Sequence, residues 1–334
     1  MFTGITLDNE FSEKLKAAWD SGLFYLVAVS GGRDSMALLC FLHETGFKNL
    51  LVCHINHGLR GESSDADERL VREEAGRLGY EAVIRQVDVA GFVRAAKLSI
   101  EAAARILRYR AFAEIGREKD CRRIFLAHHA DDRIETVLIN LFRGTGARGL
   151  AGIEAETTRV IDGVELELIR PFLAVSREAI DAYISAKGVR FRDDESNTSD
   201  FALRNRIRNR LLPLLNEIFE RDVRSAVLRA ADLSALEDEW AVAAMGELPR
   251  KGEGGGLDVT IMRGLPAARR NRLLLFWLRE SGVPDCGLSE VERAAAVLFS
   301  TASPSRASLP GGFHVRRREG ILFIEPPGLP KEPV

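Results

Sequence analysis

Residues 24–38 read Phe-Tyr-Leu-Val-Ala-Val-Ser-Gly-Gly-Arg-Asp-Ser-Met-Ala-Leu. An apolar run, Leu23–Val29, stops at Ser30-Gly31-Gly32-Arg33-Asp34-Ser35, and a helical pattern, Ser35–Glu44, follows at once. This spacing predicts a buried strand, a tight loop and a helix. Two glycines place no side chain between the backbone and an approaching ligand, and the helix N-terminus adds N–H groups, so the loop suits a phosphate. Ser30 and Ser35 add hydroxyl donors, and Asp34 supplies a carboxylate of the kind that holds magnesium. The pattern differs from the Walker loop, Gly-x-x-x-x-Gly-Lys-Ser/Thr. The plainer reading is a helix-capping turn that happens to hold two glycines.

Outward from this loop, strands and helices alternate. Leu50–Ile55, Glu81–Val87 and Arg123–Ala127 read as further strands. Ser64–Leu78, a helix capped by Ser99 and running to Arg117, and Asp131–Phe142 lie between or after them. Such alternation predicts an α/β fold, a parallel sheet with helices on both faces. Ligands of such sheets bind at the carboxyl ends of the strands. The glycine loop, His54–His57 and His128–Asp132 fall there, so one cleft is expected to gather them. Val160–Val164 reads as a hairpin around Asp162-Gly163, and Ser176–Lys187 as a helix. A basic helix follows, with a break near Pro213. Residues 246–256 read as a linker or long turn. Beyond it, segments near 257–261, 267–281, 289–299, 313–315 and 320–324 predict a small α+β domain, and the last ten residues are expected to fray. The organisation expected is a catalytic domain over residues 1–215, then a helical connector with the small C-terminal domain over 216–334.

The bulk composition excludes several classes. The chain has 334 residues, 46% hydrophobic and 29% charged, with a formal net charge of −2. No apolar run approaches the length of a membrane span, and the polar, acidic Met1–Glu10 does not read as a secretion signal. Four cysteines, at 40, 53, 121 and 286, form no Cys-x-x-Cys pair, which argues against a zinc ribbon, an iron–sulfur cluster or a redox dithiol. Cytoplasm is the expected compartment. The near-neutral total hides local basic clusters: Arg204, Arg206, Arg208 and Arg210 lie within seven residues with no acid among them, and Arg316-Arg317-Arg318 form another. Each cluster alone is as consistent with a solvated face as with nucleic acid.

A second constellation begins at His128-His129-Ala-Asp131-Asp132-Arg-Ile-Glu135. Asp132 and Glu135, three apart, share a face at a helix start, where two carboxylates suit an ammonium group or its proton. Helix capping by Asp131 or Asp132 is the alternative.

The Ser30–Ser35 loop resembles that of the PP-loop ATP pyrophosphatases. Taken with His54-Ile-Asn-His57-Gly-Leu-Arg60, Glu101-Ala-Ala-Ala-Arg105-Ile-Leu-Arg108-Tyr109, His128–Glu135, Arg170-Pro-Phe-Leu, Asp194-Glu-Ser-Asn197 and Phe201-Ala-Leu-Arg204-Asn205-Arg206-Ile-Arg208, the chain resembles the bacterial tRNA(Ile)-lysidine synthetases. It is similar to their short form, since longer relatives carry a further C-terminal module. The resemblance implies a ligase that uses ATP and Mg2+ to join free L-lysine to C2 of the wobble cytidine in the CAU anticodon of an isoleucine tRNA. An adenylated cytidine is the implied intermediate. It implies that Ser30, Gly31, Gly32, Arg33, Asp34 and Ser35 bind ATP, with Asp34 as the metal ligand and a catalytic group. Asp132 and Glu135 match the lysine-amine positions, and Arg105, His128 and Arg206 match positions near the reacting nucleotide. No membrane partner is expected, and a homodimer is left open. Segment 143–149, Arg-Gly-Thr-Gly-Ala-Arg-Gly, is a candidate lid, or a plain helix end followed by a turn. The rival readings are a PP-loop amidating ligase acting on a small acid, and a non-catalytic nucleotide-sensing or RNA-binding module.

Overall fold

The computed structural model describes residues 6–59, 61–192, 203–252, 254–301 and 305–327. The Asp194–Asn197 motif, Phe201, Arg60 and most of the expected frayed tail lie outside the described residues. Two compact units divide the chain, Met1–Ala235 and Leu236–Val334. The division falls inside a 20-residue helix, Arg224–Ala243, within the segment expected to be the helical connector.

The first unit opens with α1 (Asn9–Ala18) and then alternates as expected. Its order is β1 (Tyr25–Ala28), α2 (Arg33–Thr45), β2 (Leu50–Asn56), α3 (Glu62–Leu78), β3 (Glu81–Gln86), α4 (Val89–Ala96), α5 (Ile100–Glu118), β4 (Arg123–Phe125) and α6 (Ala130–Phe142). After these come α7 (Ala147–Leu150), β5 (Glu156–Ile161), β6 (Val164–Ile169), α8 (Arg177–Lys187), α9 (Leu203–Arg206), a π-helical turn (Ile207–Leu211), α10 (Leu212–Ile218) and α11 (Arg224–Ala243). The strands assemble in the order β3-β2-β1-β4-β6-β5. All neighbours pair in parallel except β5, an antiparallel edge joined to β6 through Asp162 and Gly163, both at positive φ.

Strand residues alternate between two cores, as the two-residue period of a pleated sheet requires. Val27, Val52, Phe125 and Ile169 pack with α2, α3 and α8 on one face. Leu26, Leu51, Ile124 and Leu168 pack with Tyr109, Phe112 and Ile115 of α5 on the other. A third cluster joins Ile134 and Leu138 of α6 to Ile207, Leu212 and Val223, which brings the basic segment against α6. Cys40, Cys53 and Cys121 are buried free thiols, and burial pushes Cys53 up to about 12. β2 and β3 lie to one side of β1 and β4 to the other, so the strand order switches direction between β1 and β4. That is where such sheets open a binding crevice.

The second unit differs from the sequence reading at two points. Residues 246–256 contain a hairpin: β7 (Arg250–Lys251) pairs with β8 (Gly256–Asp258), and Gly252 and Gly255 take positive φ between them. β8 then pairs with β11 (Ile321–Glu325), which pairs with β10 (His314–Arg318), itself paired with β9 (Ser305–Ser308). β9 was not expected, because Ser-Arg-Ala-Ser lacks a strand's apolar alternation. Helices α12 (Val259–Gly264), α13 (Ala267–Glu280) and α14 (Leu288–Phe299) complete the unit, and α13 and α14 cover a core of Trp277, Leu298, Val315 and Leu322.

Candidate active site

β1 is apolar and buried, and it delivers Ser30 at its carboxyl end. Gly31 takes φ +87°, and a Cβ there would lie 3.2 Å from the Asp67 side chain beneath the loop. Strain and space therefore both demand glycine. Asp67 is held by Arg192 Nε (2.7 Å), and the Arg192 amide donates to the Gly31 carbonyl (3.0 Å). The Ser30 amide donates to Ser35 Oγ (3.1 Å), which donates to the Gly32 carbonyl (2.9 Å). Gly32 is the N-cap of α2 and offers no capping side chain, so the first-turn N–H groups face the crevice without a protein acceptor of that kind.

Asp34 opens α2 and receives one nitrogen of Arg177 at 2.7 and 2.8 Å from its two carboxylate oxygens. Arg177 begins α8, and its neighbour Asp181 accepts a hydrogen bond from Arg33 (2.9 Å). No group of three or more metal-ligating side chains occurs among the described residues.

Across the switch point, β4 leads to His128 and His129. His129 caps α6: its Nδ1 accepts from the Asp131 amide (3.3 Å) while Asp132 accepts from the His129 amide (3.0 Å). Nδ1 as acceptor leaves the proton on Nε2 in the neutral ring. That atom stands 3.7 Å from Asp34 Oδ2 and 3.6 Å from Asp132 Oδ2. Burial pushes the His129 pKa down, but Asp131, Asp132 and Asp34 outweigh it and leave it raised. For Asp131, burial is overcome by His129, by the Arg177 amide and by Arg224, and the carboxyl falls to about 2. For Asp132, burial is likewise overcome, by His129, His128 and Arg204, and its pKa is lowered. His128 goes the other way: burial together with Arg170, Arg108 and Arg105 takes it down to about 4 against the pull of Asp132.

Glu135, one turn further along α6, has no exposed surface. Its Oε1 takes Nε (2.7 Å) and a terminal nitrogen (2.6 Å) of Arg208. Oε2 is buried without a partner. Burial raises the Glu135 pKa and Arg208 opposes the rise. Arg208 rides on the π-helical turn, a feature frequent at functional sites.

The structure thus brings Asp34, His129, Asp132 and Glu135 into one chain of neighbours, with His128 beside Asp132. Arg105 lies on α5, its guanidinium over the Tyr109 ring at 5.3 Å. Arg206 is exposed at the end of α9, while Arg204 and Arg208 act on the carboxylates. Sequence reasoning missed Arg177, Arg208 and the bridging place of His129. The four-residue spacing of Arg204 and Arg208 was the available sign that these two share a face. His54 lies inside β2, with Nδ1 on the Val29 carbonyl (2.8 Å), so it supports β1 rather than projecting past a strand end. The candidate lid is sewn to α6: the Thr145 amide donates to Asn140 (3.3 Å) and the Asn140 side chain to Gly149 (2.9 Å). This is a helix end followed by the short helix α7.

Comparison with known proteins agrees with this geometry. Residues 7–215 match the PP-loop domain family and residues 257–323 the TilS substrate binding domain family. A tRNA(Ile)-lysidine synthase of Chlorobaculum tepidum is 37% identical over 98% of this chain and 97% of its own length. One from Geobacter sulfurreducens is 38% identical over 74% of this chain, which spans only 53% of that longer relative. Among solved structures, a U34-tRNA thiolase from Methanococcus maripaludis superposes with a TM-score of 0.54 at 15% identity, covering 68% of this chain and 78% of that one, a likeness of fold. A glycine loop at the β1 end, two carboxylates on α6 and a match running almost end to end with a relative of the same length together place the chain in the tRNA(Ile)-lysidine synthase family.

Proposed function

We propose that the two halves of this crevice carry two successive steps of one ligation. A member of this family is an ATP-dependent ligase that joins lysine to the wobble cytidine of tRNA(Ile). In the proposed first step the cytidine C2 oxygen attacks the α-phosphorus of ATP, forming an O–P bond and releasing pyrophosphate. In the second, the lysine ε-amine attacks C2, the C2–O bond breaks and AMP leaves. The observation that carries this reading is His129, whose Nε2 lies within 3.7 Å of Asp34 on the glycine loop and 3.6 Å of Asp132 on α6. One ring thus links the nucleotide half to the amine half.

Ser30, Gly31, Gly32 and the start of α2 cradle the ATP phosphates, and Arg33 lies in the same turn. Magnesium fits this donor set as an ion that arrives with the nucleotide. Asp34 offers one carboxylate, and Mg2+ usually takes one or two plus substrate phosphates and water. Asp34 must then exchange Arg177 for the ion, and Arg177 is left free to meet the phosphates. When bound, the ion offsets charge on the phosphate oxygens.

Asp132 and the unpartnered Oε2 of Glu135 receive the lysine ammonium. A free amine of this kind has a pKa of ~10.4 and reacts only after losing a proton. Glu135, with its raised pKa, is the better acceptor of that proton, and Asp132, with its lowered pKa, the better permanent anion. His128, neutral at working pH, and Arg105, whose charge acts on His128, are assigned to the reacting cytidine, with Arg206 exposed at the end of α9. The basic Arg204–Arg210 segment and the C-terminal unit are assigned to the RNA. Incubation with ATP-Mg, labelled L-lysine and an isoleucine tRNA bearing CAU should place label in the RNA. Label absent from the tRNA, with ATP consumed on a small acid instead, would favour the amidating-ligase reading.

A further inference from the structure

Tyr109 of α5 is only 4% exposed, yet three guanidinium groups crowd its ring. The central carbons of Arg105, Arg159 and Arg108 lie 5.3, 5.6 and 5.9 Å from the ring centre. Arg105 and Arg108 come from α5, and Arg159 reaches in from β5, the exposed edge strand. A fourth cation, Arg170, lies buried close by, its terminal nitrogens on Thr157 and backbone carbonyls and its Nε without a partner.

No carboxylate among the described residues forms an ion pair with Arg105, Arg108 or Arg159. The contrast on the same helix is sharp: Arg110 pairs with Asp162 at 3.4 Å and Arg117 donates to the Asp162 carbonyl. Unpaired cations gathered around one ring repel one another, and the ring's quadrupole offsets only part of that. Burial lowers the Arg108 pKa, Tyr109 opposes it, and Arg105 and Arg204 add smaller lowering effects. The same positive charge helps to hold His128 near 4. This is an electrostatic arrangement that an anion would relieve, and guanidinium forks match phosphate oxygens.

We propose that Arg105, Arg108 and Arg159, ranged around Tyr109, form a binding site for a backbone phosphodiester of the RNA, adjoining the nucleotide that reacts beside His128. The inference rests on the functional reading above and extends it from Arg105 to Arg108 and Arg159, which that reading does not use. On that reading the phosphates of ATP are taken by the glycine loop and the start of α2, whereas Arg105 and Arg108 act on His128. Arg159 is exposed on an edge strand and open to a polymer lying along the surface. The buried Tyr109 ring holds the guanidinium planes in place without stacking on a base itself.

The test measures binding of unmodified tRNA to the full chain without ATP, across a range of KCl concentrations. Wild type, Arg159→Gln, Arg159→Lys and Arg108→Gln are compared. Each phosphate contact contributes roughly 0.7–0.9 to the slope of log affinity against log salt. Arg159→Gln should flatten the slope by about that amount and weaken binding on the order of tenfold at low salt. Arg159→Lys, which keeps the charge, should restore the slope, and the KM for ATP should not move. Arg159→Gln touches an exposed residue, so the test survives even if Arg108→Gln fails to fold. An unchanged salt slope with a raised KM for ATP overturns the proposal in favour of the nucleotide's own phosphates. No change in either quantity overturns it in favour of ring packing alone. Wild-type protein that binds no tRNA overturns the functional reading and this inference together.

Discussion

At the scale of single residues, the carboxylates of α6 are separated by environment. Glu135 is buried and its ion-pair partner is Arg208, so removing that cation should be costly. Arg208→Met should destabilise the protein by about 3 kcal/mol, as for a buried ion pair broken on one side, measured by urea unfolding at neutral pH. Glu135→Gln, which removes the charge together with the need for its partner, should cost less. It should also raise the lysine requirement at least tenfold while leaving the KM for ATP nearly unchanged. Equal effects on both substrates would make Glu135 a structural residue. His128 gives a pH signature. Its folded pKa of about 4 lies below the ordinary 6.5, so between these values the unfolded chain binds a proton that the folded chain does not. Stability is then lost as pH falls from 6.5 toward 4, by up to about 3 kcal/mol. His128→Gln should flatten the stability profile in that window, and an unchanged profile would show that the ring is well solvated.

At the scale of elements, the strand–loop–helix unit was legible because its determinants are local. An apolar run predicts β1, two glycines predict the turn, and the structure adds the reason for Gly31, which is Asp67 at its back. Gly31→Ala should raise the KM for ATP more than tenfold and cost about 1 kcal/mol or more in stability, since an L side chain is strained at φ +87°. Unchanged ATP affinity would mean that the loop tolerates a shift. The hairpin at Asp162-Gly163 was legible for the same local reason. β7 and β9 were not: Arg250–Lys251 and Ser305–Ser308 carry no apolar alternation, and pairing with β8 and β10 makes them strands. The site divides along the same line. Asp34, Asp132 and Glu135 sit in short motifs with fixed spacing. Arg177 and Arg208 lie 143 and 73 residues from the carboxylates they meet, a distance that only the fold closes.

At the scale of the whole molecule, each unit has its own hydrophobic core, and the second is built on an antiparallel sheet far from the nucleotide loop in sequence. Deleting residues 247–334 should leave ATP binding by the first unit largely intact while weakening tRNA binding at least tenfold, read by titration with each ligand. Unchanged tRNA affinity would remove the second unit from RNA recognition. No helix of the described residues is long and apolar enough to cross a membrane.

Arg177 on Asp34 and Arg208 on Glu135 have a consequence for an enzyme at rest. On the proposed reading magnesium meets Asp34 by exchange with Arg177, whereas the lysine ammonium meets the free Oε2 of Glu135 while Arg208 stays on Oε1. An evicted guanidinium needs an anion to go to. The triphosphate that carries the ion brings one for Arg177. On the proposed reading nucleotide entry is therefore close to charge-neutral at this carboxylate: the ion takes the guanidinium's place on Asp34, and phosphate oxygens take the carboxylate's place on Arg177.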